Sequence, residues 1–377
     1  MSRAMREKFA VAIVGAGPAG CSAALQLARA GLSVAVFEQR SSVSRKLGET
    51  LPPATNRVLK SLMLWEDFLN TGPLPSTCNA SSWGSSSLAF NDFLFGTEGC
   101  GWHIDREKFD RLLLHAARDA GATFRLGSRV VSLKTTGATS NLEVVSNGNT
   151  GYCRADFVID ATGRAQNLWR MTPVGRLVHD HMIAVGHYVH SPRHIHEYGY
   201  ALIEAVDRGW FYSAQLSASE AVICYMTDAD LYARGNQEST QYWQEQLAQA
   251  SHTRKRFCCG DIISPPIVAS ANTSVRSKVT GANWMAIGDA AMSQDPLSSS
   301  GIYYALTSGV EAARILVARK NGEAVELDDW SRYIRSAFSN YLVTRGKVYR
   351  NERRWPESQF WVRRQEPASS VLEHTQG

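Results

Sequence analysis

Gly15-Ala16-Gly17-Pro18-Ala19-Gly20, followed by Glu38, are the first residues whose types and spacing could do chemistry. A glycine-rich turn opening a helix lets the backbone approach a pyrophosphate and offers unpaired N-H groups to it. Gly15 permits the tight turn, Gly17 the close approach, and Gly20 the packing of helix on strand, with Pro18 and Ala19 inside the turn. Glu38 is placed to accept hydrogen bonds from a ribose, with Gln39 beside it. Two later segments repeat the pattern of an apolar run entering a glycine turn. The first, Asp160-Ala161-Thr162-Gly163-Arg164, has small residues that let a second chain segment approach a nucleotide. The second, Ile287-Gly288-Asp289, puts a carboxylate where it could bond the hydroxyls of a sugar-like chain. Three such junctions spread along the chain converge on a ligand too long for one βαβ unit. FAD meets that requirement better than NAD.

The elements that must position these residues follow from periodicity. Residues 9–14 are a short β-branched apolar run, as expected of a central parallel strand covered on both faces. Residues 21–30 are Ala/Leu-rich and helical, Gly31 ends the helix, and residues 32–37 form a second strand ending at Glu38. Arg3, Arg6 and Lys8 before an apolar run superficially resemble a secretory signal, but the strand explains that run better. Residues 182–189, 199–205, 210–216 and 221–227 alternate as an antiparallel sheet with one covered face. Residues 237–249 and 327–349 read as helices, the latter with Trp330, Ile334, Phe338 and Leu342 on one stripe. No internal repeat is present.

Composition narrows the class. The 377 residues are 44% hydrophobic and 20% charged, which is ordinary for a globular chain and excludes disorder and collagen. No run of 18 apolar residues offers a membrane span, and a net charge of +5 is too mild for a typical nucleic-acid protein. Seven cysteines, odd in number and without metal-type spacing, point to reduced thiols and a cytoplasmic protein. Cys258 and Cys259 are read as incidental neighbours. His179, His181, His187, His190, His194 and His196 include two His-x-His pairs. No cysteine or carboxylate set completes a metal site, so no metal is expected, while a histidine acid or base in a substrate pocket stays open.

These junctions resemble the glutathione-reductase-type FAD domain of flavin monooxygenases, geranylgeranyl reductases and tryptophan halogenases. The resemblance implies that Asp289 contacts the ribityl chain and that the segment from Pro296 to Gly301, with Ser300 and Ile302, presents backbone amides to the flavin ring. It implies that Arg106, in Gly101-Trp102-His103-Ile104-Asp105-Arg106, contacts the FAD phosphate or ribityl region. Gly48 and Glu49, in Lys46-Leu47-Gly48-Glu49-Thr50-Leu51-Pro52-Pro53, would line the flavin. Arg45 and Lys46 either approach the phosphates or are solvated loop charges, and Val130 completes the cofactor set. Glu49 could position substrate or serve as a base; a capping or ion-pair role is the other reading. The Trp-x-Trp-x-Ile-Pro motif of tryptophan halogenases is missing. The Asp-Gly motif of single-component aromatic hydroxylases is replaced by Asp160-Ala161-Thr162-Gly163, which puts direct NAD(P)H use in doubt.

The combination is most similar to the flavoproteins that mature the cysteine tryptophylquinone of lysine ε-oxidase and glycine oxidase. That resemblance implies a monooxygenase using FAD, O2 and NAD(P)H or another electron donor. Its partner would be the precursor of a tryptophylquinone-dependent oxidase, in which a tryptophan side chain is hydroxylated through a flavin C4a-hydroperoxide. The alternatives are a hydroxylase or reductase of a small aromatic or prenyl substrate, and a non-catalytic flavin-binding maturation chaperone. The expected fold is α/β, with a discontinuous Rossmann-like FAD domain (1–75, 100–165 and 275–320), an antiparallel-sheet substrate domain (76–99 and 166–274) and a helical, basic C-terminal extension (321–377). The mixture of Trp355, Phe360 and Trp361 with Arg350, Arg353, Arg354, Arg363 and Arg364 is expected to help hold a protein substrate. Its plain alternative is a terminal helix docked on the core.

Overall fold

The computed structural model describes residues 6–93, 96–165, 168, 174–191, 199–233, 239–257 and 261–365. An eight-stranded sheet is built around Arg6–Val14, whose neighbours are Val34–Glu38 on one side and Asn149–Asp160 on the other. Thr123–Leu126 and Trp284–Ala286 extend these sides, and all four of these pairings are parallel. The hairpin of Ser128–Thr136 and Thr139–Ser146 adds antiparallel strands to Asn149–Asp160. Parallel strands need crossovers and cover on both faces, which is why residues 11–14 and 34–37 are wholly buried.

Register decides where the site can form. Val14 lies opposite Asp160 and Phe37, and Asp160 lies opposite Ala286, so these strands end together. The next residues are stitched across the sheet: Gly15 N-H donates to Phe37 O at 2.8 Å, Ala161 N-H to Val14 O at 2.9 Å, and Ile287 N-H to Asp160 O at 2.9 Å. Three glycine turns far apart in sequence therefore share one edge, the carboxyl end where open α/β sheets bind ligands.

A seven-stranded sheet runs Ile267–Ser270, Met182–His190, Glu220–Asp228, Gly209–Gln215, Tyr200–Val206, Cys78–Ser82 and Ala89–Asp92. Only the pairing of Tyr200–Val206 with Cys78–Ser82 is parallel. The expected single covered face is corrected here, because every residue of Gly209–Gln215 is buried. One face packs Trp210, Tyr212, Cys224 and Met226 with Tyr349, Phe360 and Trp361. The other packs Phe211, Ile223 and Tyr225 against Tyr242, Trp243 and Phe257 from two short helices. Alternation by chemical type disappears where both faces are covered.

The helix Leu327–Arg350 crosses from one sheet to the other, burying the expected stripe Trp330, Ile334, Phe338 and Leu342. Near its start the Trp330 indole donates to Ala286 O at 3.0 Å; at its end Tyr349 lies fully buried under the second sheet. The C-terminal helix Gln359–Gln365 decides between the two readings of the Trp/Arg segment. Phe360 and Trp361 are completely buried, and the Trp361 indole donates to Val206 O at 3.0 Å. Arg364 pairs with Asp228 at 2.5 Å, and Arg354 with Glu352 at 2.6 Å. The docked-helix alternative is the structure. Truncating Trp361 to alanine should cost about 3–5 kcal/mol of stability, read as a lower midpoint in urea unfolding with little change in slope.

Candidate active site

Two adjoining cavities open along the carboxyl edge of the parallel sheet and share Gly17, Leu47, Arg106, Ala161, Arg164 and Asp289 in their walls. The first, more polar, is lined by Gly15, Glu38, Gln39, Arg45, Lys46, Val130 and Thr162. The second reaches the antiparallel sheet and is lined by Ala19, Gly48, Glu49, Pro296, Gly301, Ile302, Trp210, Tyr212, Cys224 and Met226. Pro18 and Gly163 line both, whereas Gly20, Gly288 and Ser300 line neither. A Cβ on Gly20 would stand 2.0 Å from Gly15 O, so its place is in the packing of helix on turn. Gly288 abuts Ala19, and the Ser300 hydroxyl bonds back to Ser298 O.

The polar half is shaped by the first turn. Gly15 has φ of +108°, and a Cβ there would meet Ala161 O at 2.3 Å. At Gly17 a Cβ would meet nothing within 4 Å, so this stretch of backbone faces open space at the start of the helix Pro18–Arg29. Glu38 Oε2 accepts from Ala16 N-H at 3.0 Å and Oε1 from Arg40 N-H at 3.0 Å, which holds the carboxylate beside the turn. An open helix N-terminus with a carboxylate beyond it has the donor and acceptor set that a dinucleotide's phosphate and ribose require.

Arg106 sits where the halves meet. Its Nη1 donates to Leu47 O at 3.0 Å and Gly48 O at 3.2 Å, and its Nη2 pairs with Asp110 at 3.1 Å. Its Nε is buried without a partner, a donor left over beside the cavity. Arg45 pairs with Glu220 at 2.6 Å and lies 3.6 Å over the Tyr188 ring, while Lys46 pairs with Asp110 at 3.1 Å. Both of these cations are thus already committed to protein partners.

Glu49 is 1% exposed and has no cation in hydrogen-bond contact. Its Oε1 accepts from Tyr188 Oη at 2.8 Å and its Oε2 from Gly48 N-H at 2.8 Å. Burial pushes its carboxyl above the usual range, opposed by those two bonds and by Arg106. Tyr212 bonds Thr50 Oγ1 at 2.6 Å, and burial with Glu49 nearby raises its phenol. A buried carboxylate whose proton affinity is raised by desolvation, set against an apolar wall, is equipped to take a proton from a bound substrate.

Several wall residues carry no motif. Arg164 pairs with Asp289 at 2.9 Å and fastens Asn272 O at 2.5 Å and Gln294 O at 2.6 Å, joining the second and third glycine junctions. Its position directly after Thr162-Gly163 was the available signal. Trp210, Tyr212, Cys224 and Met226 share one face of adjacent strands, so strand parity would have grouped them. Among the described residues no metal-holding cluster exists. His179, His181, His187 and His190 line neither cavity, and buried His187 packs on Trp243 with its pKa lowered by desolvation. His194, His196, Cys258 and Cys259 lie outside the described residues. No helix is long and apolar enough to cross a membrane, among the described residues.

Known proteins match this arrangement. The family model described as FAD binding domain covers residues 8–344. A protein of Marinomonas mediterranea named as an FAD-dependent oxidoreductase, LodB, is 28% identical over 98% of this chain and 99% of its own length. The solved myxobacterial chondrochloren halogenase CndH superimposes with a TM-score of 0.89 at 19% identity, covering 98% of this chain and 88% of that one. The peptidyl tryptophan dihydroxylase QhpG, described as essential for tryptophylquinone cofactor biogenesis, gives 0.75 at 21% identity, covering 96% and 79%. The two structural likenesses establish the fold.

Proposed function

The chain belongs to the FAD-binding-domain family and is an FAD-dependent oxidoreductase, and from that premise we propose that it hydroxylates a tryptophan side chain of a partner precursor protein during tryptophylquinone biogenesis. The observation that carries this reading is the Glu49 carboxylate, buried at an apolar wall with no contacting cation among the described residues. The likeness to LodB and to QhpG supports the choice of substrate.

The residues present suit FAD. Glu38 would hold the ribose, the backbone at Gly17 and the start of the following helix the pyrophosphate, and Asp289 the ribityl chain. The segment Pro296 to Gly301 would face the flavin ring, and Gln39 and Val130 would complete the cofactor set. When bound and reduced, FAD supplies the electrons that activate O2 toward an electron-rich ring. Leu47, Trp210 and Met226 keep water from that ring and orient it. Glu49 accepts the proton from the indole N-H as the ring is oxidised.

Co-expression with a tryptophylquinone-oxidase precursor should give a precursor heavier by added oxygen atoms, located to tryptophan by fragmentation mass spectrometry. An unmodified precursor together with turnover of a phenolic or prenyl compound would sink this reading. A protein that binds the precursor without FAD would instead be a chaperone.

A further inference from the structure

Trp210 closes the apolar cavity from the antiparallel sheet, and Asp295 opens the turn Pro296–Ser298 on the opposite wall. The two are joined through side chains of the helix Leu327–Arg350 that line neither cavity. The Trp210 indole Nε1 donates to Tyr349 Oη at 3.2 Å, and that hydroxyl donates to Asp295 Oδ2 at 2.6 Å. Arg345 donates through Nε to the same Oδ2 at 3.1 Å and through Nη2 to Asp180 Oδ2 at 2.8 Å. Asp180 Oδ1 in turn accepts from the N-H groups of Met182 at 3.1 Å and Thr273 at 3.2 Å. Residues 341, 345 and 349 follow at intervals of four, so they share a helix face, and Tyr341 Oη accepts the Asp295 amide at 2.6 Å.

Asp295 divides its carboxylate between two tasks. Oδ1 accepts from Leu297 N-H at 2.9 Å and so holds the turn, whose next residue, Ser299, is left-handed at φ +49°. Oδ2 is held by the helix. Turning the carboxylate to satisfy a lost partner on Oδ2 would carry Oδ1 off Leu297 and loosen the loop. Trp210, Tyr349 and Asp295 are each no more than 1% exposed, so water cannot replace a missing partner without opening the core.

We propose that Tyr349 and Arg345 are positioning residues that set the Asp295–Gly301 loop against the cofactor and link its placement to the Trp210 wall. This rests on the proposed reading of the cavity as flavin site and substrate chamber. It adds that the two halves are coupled through a helix touching neither ligand. The Tyr349 hydroxyl has one proton to give and gives it to Asp295, so the indole N-H is bonded to the oxygen already polarised by that donation.

The test is titration of the full-length apoprotein with FAD, followed by flavin fluorescence and the visible absorption band, with no substrate present. Tyr349→Phe should weaken FAD roughly tenfold and shift the band, with a lower but still cooperative melt because a buried indole N-H and a carboxylate oxygen lose their partner. Trp210→Phe should weaken FAD by roughly threefold in the parent and by nothing further in Tyr349→Phe, because the link is already cut. Should Tyr349→Phe fold poorly, Arg345→Lys keeps the charge, loses the two-carboxylate fork, and is expected to move FAD affinity in the same direction. FAD affinity within twofold of the parent for the well-folded variants would overturn the positioning role. Independent, multiplicative effects of the two substitutions would overturn the link. A parent that binds no FAD would instead sink the cofactor reading, and a negative precursor assay would leave this titration untouched.

Discussion

Replacing Glu49 by glutamine is expected to slow tryptophan oxidation by about 10²–10³-fold and to raise the melting temperature at neutral pH. The rate falls because glutamine cannot accept the proton. The protein is stabilised because burial raises the Glu49 carboxyl above its unfolded value. A raised carboxyl means that the folded state binds its proton more tightly than the unfolded state. Its contribution to stability is therefore full below the unfolded pKa and is lost as pH rises through the folded one. Glutamine removes that loss. The side chain should be accommodated, since Tyr188 Oη can redirect its proton to Lys46 O, 3.3 Å away, and accept the new amide N-H. In the parent, activity should climb with pH through the raised carboxyl, and the Glu49→Gln variant should lack that rising limb. Oxygen insertion into the co-expressed precursor, measured across pH, checks the first half, and thermal melts at acidic and neutral pH check the second. Parental rates in the glutamine variant would remove Glu49 from the chemistry.

Two alanine substitutions in the first turn should separate folding from cofactor binding. Gly15→Ala places a methyl 2.3 Å from Ala161 O at a φ of +108°. Backbone atoms block it on one side and the left-handed conformation disfavours it on its own, so a loss of several kcal/mol, on the order of 3–5, is expected. Little folded protein should be recovered. Gly17→Ala meets nothing within 4 Å and keeps an ordinary φ of −79°. That variant should melt like the parent without cofactor but bind FAD about 100-fold more weakly, because its methyl occupies the space where phosphate approaches the helix N-terminus. Equilibrium titration gives the answer, and unchanged affinity would place the phosphates elsewhere.

The dinucleotide unit was legible because its signals are local: a strand, a turn and a helix within residues 6–38. The four alternating runs of the second sheet were legible for the same reason, as was the apolar stripe of the long C-terminal helix. Composition left exposure undecided. Trp361 among arginines looks the same in sequence whether it faces water or, as here, lies fully buried. The covering of the second face was missed because the helices that cover it come from later segments. Arg345 meets Asp180 across 165 positions and Asp295 across 50, separations at which an ion pair leaves no periodic trace. Arg164 was visible as a residue but not as a clamp, since its partners lie more than 100 positions away.

The shared register of Val14, Asp160 and Ala286 also sets a timetable. The central strand is made early, yet one of its flanking strands is not complete until residue 160 and the next until residue 286. Such long-range parallel pairings form slowly, after a large loop-closure cost. A growing chain therefore has its nucleotide turn long before it has a place to bury it, and a fragment ending before residue 289 is expected not to retain FAD. Capture of the cofactor becomes a late event in biogenesis, and flavin colour in a truncated chain would report that synthesis had passed the third glycine turn and that the sheet had closed.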